Sequence, residues 1–143
     1  MAASRIELAF AGTKAGFAEA FAALRSRLDD ELLAAATRYR VELVFEEIVA
    51  NVVRHGGRGG EVPSVAVAVE LGGDDVLMTI DDDGPPFDPS QREEPVSPTS
   101  LEDAEIGGLG LMMVRRAASA VAYERTAGDR NRLTVRIPAG ARS

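Results

Sequence analysis

Polar and apolar residues alternate along Arg5-Ile6-Glu7-Leu8-Ala9-Phe10, the two-residue period of a half-buried strand. Over residues 13–33 the period changes. Phe17, Phe21, Leu24 and Leu28 recur at steps of three and four, the spacing of one helix face. Asp29-Asp30-Glu31 marks a break, and acids there suit the positive start of a second helix. That helix is predicted over 33–55, with Val41, Val44, Ile48 and Val52 as its buried stripe. Gly56-Gly57-Arg58-Gly59-Gly60 ends it, because glycine accepts the left-handed conformation that closes a helix. Alternation resumes over 62–71, with Val65, Val67, Val69 and Leu71 on one face. Gly72-Gly73-Asp74 makes a tight turn, and 75–81 returns antiparallel with Val76, Met78 and Ile80 inward. Residues 88–106 show no apolar period. A third helix is predicted from Gly107 to about residue 118, and a last hairpin joins 121–126 to 133–137 around Gly128-Asp129. The order is strand, two helices, two strands, loop, helix, two strands. It predicts an α+β fold with helices layered on one face of a mixed sheet.

Composition narrows the chemistry. A chain of 143 residues fits one domain with one core, and 45% hydrophobic against 27% charged residues is ordinary globular usage. Cysteine is absent and His55 is the one histidine, which excludes disulfides, thiolate or multi-histidine metal sites and cysteine nucleophiles. The formal net charge of −7 disfavours direct binding of nucleic acid through its phosphates. No apolar run reaches the ~18 residues of a membrane span, and the first residues lack the basic and then apolar regions of a secretory signal, so a cytoplasmic protein is expected. The loop 88–106 carries one arginine and six acids, a net charge of −5. A loop this long is commonly a lid or binding segment. What remains for catalysis is carboxylate, amide, hydroxyl, arginine and backbone, a set that resembles the toolkit of phosphoryl transfer.

Three polar constellations stand out. Glu47, Asn51 and His55 lie at i, i+4 and i+8 and share one helical strip, with Arg54 beside them. A glutamate and an asparagine one turn apart can supply a base and an oxygen ligand for Mg²⁺, which prefers hard oxygens. The same spacing also describes an exposed polar strip with a surface histidine. The second constellation, Asp81-Asp82-Asp83-Gly84-Pro85-Pro86-Phe87, follows a hydrophobic strand. Three consecutive acids repel one another, so a purely structural gain is not expected. One carboxylate can accept from the exocyclic amine of adenine and so discriminate against guanine; Asp-Gly-Pro is equally good turn chemistry. The third, Gly107-Gly108-Leu109-Gly110-Leu111, opens a helix, where backbone N–H groups and the dipole favour a phosphate. Alone it is also plain punctuation before a helix. No Walker lysine follows, since the only lysine is Lys14, so a P-loop is excluded.

Taken together, Glu-x-x-x-Asn on a helix, Asp-x-Gly after a strand, and Gly-x-Gly opening a later helix resemble the GHKL ATPase superfamily. Within it the nearest likeness is to the small bacterial anti-sigma-factor serine/threonine kinases, the switch-protein kinases. FEEIVANVVRHG, IDDDGPPFDP and GGLGLMMVRR carry the resemblance, which covers nearly the whole chain. It implies a Bergerat-type two-layer sandwich: a mixed, mostly antiparallel sheet with about three helices on one face and an ATP lid over 88–106. By that resemblance Glu47 is the general base, Asn51 the Mg²⁺ ligand, and His55 a histidine near the phosphates. Asp82 is the adenine-reading aspartate, and Gly108 and Gly110 lie beside the triphosphate. The implied ATP-binding set is Asn51, Arg54, His55, Asp82, Gly84, Phe87, Gly107, Gly108, Leu109, Gly110, Leu111 and Thr134.

Two positions depart from the wider pattern. Asp-x-Gly-x-Gly ends here in Pro86, which removes a backbone N–H, so the adenine pocket must close differently. The superfamily's Gly-Thr is replaced by Asn131-Arg132-Leu133-Thr134, leaving either Thr134 or no residue in the threonine's role. The activity implied is phosphoryl transfer from MgATP to a serine or threonine of a STAS-domain anti-anti-sigma partner. The same protein would sequester a sigma factor or another regulator, and a homodimer is compatible with the family. A nucleotide-dependent binding module and a detached histidine-kinase-like domain are the alternatives.

Overall fold

The computed structural model describes residues 3–88 and 109–139. Five strands and three α-helices form: β1 (Ser4–Ala11), α1 (Lys14–Asp29), α2 (Ala35–His55), β2 (Ser64–Leu71), β3 (Asp75–Asp82), α3 (Leu109–Ala117), β4 (Ala120–Arg125) and β5 (Asn131–Pro138). A short 3₁₀ turn, Arg58–Gly60, follows α2. The strands run in the order β1-β2-β3-β5-β4, and every pairing is antiparallel. The sheet, expected to be mixed and mostly antiparallel, is antiparallel throughout the described residues. The elements read from periodicity are all present, and strands that run parallel, such as β1 and β3 or β3 and β4, are never neighbours.

Strand alternation divides the sheet into two unlike faces. Ile6, Val65, Val67, Val69, Val76, Met78, Ile80, Leu133, Val135 and Ile137 face the helices and are buried. Arg5, Glu7, Thr79, Asp81, Arg132 and Thr134 stand on the other face. On the helical side Leu24 and Leu28 of α1, and Val41, Val44, Phe45, Ile48 and Val49 of α2, complete the core. Phe45 is its centre. The ring is fully buried and lies 6.0 Å from Phe10, 6.0 Å from Phe17 and 5.8 Å from Phe21, the last nearly parallel at 9°. Offset aromatic contacts of this kind add to the area they bury. Val114 and Ala117 anchor α3 to the same cluster.

The helix ends explain two boundaries. Thr13 caps α1: its hydroxyl accepts from Gly16 N at 2.9 Å. The acids expected to open α2 instead close α1, with Asp29 its last residue and Asp30 its cap. No acid occupies the first turn of α2. Arg38 on α2 reaches back to Asp29 at 2.6 Å and pairs one turn ahead with Glu42 at 2.9 Å, so Asp29 ties the two helices together. At the other end Gly56 caps α2 at φ 72°, a conformation that favours glycine.

Candidate functional site

The end of α2 meets the ends of β3 and β5, and a narrow cavity of about 30 Å³ opens between them. Ile48 and Val52 of α2, Ile80 of β3, Leu133 of β5 and Phe87 give it apolar walls, and Asn51, Asp82, Tyr123 and Asn131 give it polar ones. At this size the cavity holds about one or two waters, and its apolar walls with a few polar edge groups suit a flat heteroaromatic ring once the walls part.

Glu47, Asn51 and His55 behave differently along their shared strip. Asn51 is 3% exposed and lines the cavity. Its Oδ1 accepts from Arg54 NH1 at 2.9 Å, so the amide oxygen is turned toward a position where a cation is tolerated. Glu47, one turn earlier, is half-buried. Burial raises its carboxyl above the ordinary range, the charge of Glu46 raises it further, and Arg54 opposes both. His55 is exposed at the helix end and lies over the Phe87 ring, centroid to centroid 3.9 Å. The strip is thus not a uniformly solvated surface: its middle residue belongs to the cavity.

The three consecutive aspartates have three different surroundings, because alternation sends neighbours to opposite faces. Asp81 stands on the outer face and makes a two-pronged ion pair with Arg132, both contacts 2.9 Å. Asp83 Oδ1 accepts from Ser64 N at 2.7 Å and holds the strand end to β2. The structural gain not expected from three adjacent acids therefore exists for two of them. Asp82 alone turns inward and is 8% exposed. Its Oδ1 accepts from Gly84 N at 2.9 Å and from Asn131 Nδ2 at 3.0 Å. Gly84 is required by close approach, since a Cβ there would meet Asp82 Oδ1 at 2.9 Å and Gly56 O at 3.0 Å.

Asn131 was not among the residues expected at the site. It faces Asp82 directly across β3 and β5, and Arg125 directly across β4 and β5. Its Nδ2 also donates to Pro85 O at 2.9 Å, while its Oδ1 accepts from Tyr123 OH at 2.6 Å, Arg125 NH1 at 3.1 Å and Phe87 N at 3.2 Å. Arg125 NH1 further donates to Gly84 O at 2.9 Å. These bonds fix the 84–87 turn without the amide that Pro86 lacks. They are how the pocket closes in the absence of a second glycine.

Thr134 is not in the pocket. Its register partners are Thr79 and Ala122, and it lines a separate shallow depression on the outer sheet face with Asp81 and Arg132. Because Leu133 and Val135 point inward, residue 134 must point outward. Among the other expected residues, Gly84 and Phe87 form the pocket's turn. Leu109, Gly110 and Leu111 begin α3, while Gly107, Gly108 and residues 89–106 of the expected lid lie outside the described residues.

Among the described residues no cluster of three or more His, Asp or Glu could cage a metal by itself. Asn51 offers a single neutral oxygen. That donor set fits a small hard cation that arrives already held by phosphate oxygens and water, the usual manner of Mg²⁺. No helix among the described residues is long and apolar enough to cross a membrane.

The match to known proteins agrees with this geometry. The family described as "Histidine kinase-like ATPase domain" matches residues 10–137. Serine/threonine-protein kinase BtrW of Bordetella bronchiseptica is 31% identical over 106 residues, covering 74% of this chain and 71% of that protein. The match spans all three helices and runs from the end of β1 to within a residue of the end of β5, taking in Glu47, Asn51, Asp82 and Asn131. The chain belongs to the histidine kinase-like ATPase family, and its antiparallel sheet and helices form that family's two-layer α+β sandwich.

Proposed function

We propose that this protein is an ATP-dependent serine/threonine kinase of the anti-sigma-factor type. Its substrate would be a hydroxyl on a STAS-domain anti-anti-sigma partner, and its second partner a sigma factor or similar regulator held while the antagonist is phosphorylated. One observation carries the reading: a half-buried carboxylate whose proton affinity is raised, Glu47, sits one helical turn from a buried amide, Asn51, that lines the same cavity as Asp82.

The roles follow from the atoms available. Asp82 accepts from the exocyclic amine of adenine. The His55 ring lies over Phe87, which lines the cavity, and would stand near the phosphates as the family resemblance implies. Asn51 Oδ1, which now accepts from Arg54, would hold Mg²⁺, and Arg54 would offset phosphate charge. Bound MgATP supplies the phosphoryl group and the metal's neutralising charge. Glu47 takes the proton from the attacking hydroxyl, a function worth ~10²–10⁴ in rate. Ala50 and Arg54, on the turns that follow Glu47, line a second groove of about 420 Å³ with Lys14, Phe17 and Val53. A groove with an apolar floor and two cations supports a protein acceptor over water. The reading includes a cytoplasmic setting and one folded unit over the whole chain.

The test is incubation with labelled ATP, Mg²⁺ and a candidate STAS partner. Expected is an acid-stable phosphoserine or phosphothreonine on the partner, lost in Glu47→Ala. An acid-labile product would replace the reading with a histidine-kinase-like one. Nucleotide-dependent complex formation without transfer would replace it with a binding module.

A further inference from the structure

Asn131 carries more of the pocket than its own contact would. It is 5% exposed and makes five hydrogen bonds, sorted by type onto the two ends of one amide. The Nδ2 end meets only acceptors, Asp82 Oδ1 and Pro85 O. The Oδ1 end meets only donors, Tyr123 OH, Arg125 NH1 and Phe87 N. A carboxylate would set two oxygens about 3.0 Å apart where Nδ2 now meets Asp82 Oδ1, and a rotated amide would reverse every contact. The environment therefore accepts an amide in one orientation.

Asp82 feels the consequence. Both of its hydrogen bonds fall on Oδ1, and Oδ2 has no donor among the described residues although Asp82 lines the cavity. We infer that Asn131 is the positioning residue for nucleobase recognition in this protein. It occupies Oδ1, fixes the plane of the Asp82 carboxylate, and leaves Oδ2 as the single oxygen offered to an exocyclic amine. Tyr123 and Arg125 act through it, so two residues of the sheet's edge strand help set specificity for the base. The inference rests on the ATP reading above and goes beyond it in naming what selects adenine.

The experiment compares ATP with purine riboside triphosphate, which lacks the exocyclic amine. Each displaces a fluorescent ADP analogue from the protein with Mg²⁺ present. Wild type is expected to favour ATP by about 10–150-fold, the value of one hydrogen bond to a charged acceptor. Asn131→Ala is expected to bring that ratio down to within about threefold of one, mainly by weakening ATP. Tyr123→Phe keeps the ring that lines the cavity and removes one donor from Asn131 Oδ1. It is expected to lower the ratio by a smaller factor, and it decides the matter alone if Asn131→Ala does not fold. A wild-type preference near one, or equal losses for both nucleotides that leave the ratio unchanged in the variants, overturns the inference while ATP binding stands. Failure of wild type to bind either nucleotide overturns the ATP reading and the inference with it.

Discussion

Glu47→Gln separates chemistry from binding and stability in one substitution. The side chain keeps its length and loses its charge and its basicity. Burial is the largest cause of the raised proton affinity of Glu47, with Glu46 adding to it and Arg54 opposing it. A carboxylate so placed is a better base near neutral pH than an ordinary one. If it accepts the hydroxyl proton, transfer should fall by ~10²–10⁴, equivalent to about 2.7–5.4 kcal/mol in the barrier. ATP affinity should stay within a small factor of wild type, because Glu47 does not line the cavity that holds Asp82 and Asn51. The wild-type rate should rise with pH through a value above the ordinary carboxylate range.

Stability should move the opposite way. The folded protein holds the Glu47 proton to higher pH than the unfolded chain does, so in that window the native state binds more protons. Stability from this residue is therefore full below the unfolded value and is lost as pH rises through the folded one. Glutamine has no such dependence. Glu47→Gln should be the more stable protein at neutral pH, and its advantage should vanish below the carboxylate range. Acid-quenched time courses with the STAS partner, nucleotide displacement, and urea unfolding at several pH values read the three effects. Transfer within about threefold of wild type would refute the base assignment. A variant less stable than wild type at neutral pH would refute burial as the source of the shift.

Asp82→Asn should weaken ATP by roughly 10–150-fold and favour inosine triphosphate relative to ATP, because a donor would replace the free acceptor at Oδ2; nucleotide displacement reads both. Arg132→Ala, which removes the partner of the neighbouring Asp81 on the solvent side, should cost no more than about 1 kcal/mol in urea unfolding and leave nucleotide affinity unchanged. Phe45→Ala should cost about 3–5 kcal/mol in the same assay, since the ring is fully buried among Phe10, Phe17 and Phe21 and its neighbours cannot all collapse into the space.

The fold was legible because each element carried its own period. Alternation marked β1, β2 and β3 within a residue or two of their ends, and steps of three and four marked α1 and α2. The acids 29–31 misled because two effects compete there. Their charge suits a helix start, but Arg38 and the cap at Asp30 make them the end of α1. Strand order was not legible: β5 inserts between β3 and β4, and no local period reports which strand pairs with which. That insertion makes Asn131 the neighbour of Asp82.

The site was legible where a residue type is unusual for its element, and opaque where its face depended on strand bounds. Asn51 stands out as a poor helix former inside α2, and Asp82 by its place two residues before Gly84 in Asp-x-Gly, the motif that carries the family resemblance. Asn131 drew no notice, because the last strand was expected to begin at 133, which left 131 in a turn. The alternation Leu133, Val135, Ile137 extends back by one step to Asn131, and the signal was there: an inward polar residue directly continuing a buried row. Thr134 drew notice by type instead, although the same alternation places it outside. Parity outweighs residue type in a strand, because a one-residue offset exchanges the two faces of the sheet. Asp81, Asp82 and Asp83 make the same point with one residue type. Three identical side chains differ only in parity and position, and only Asp82 lies where a nucleobase could meet it.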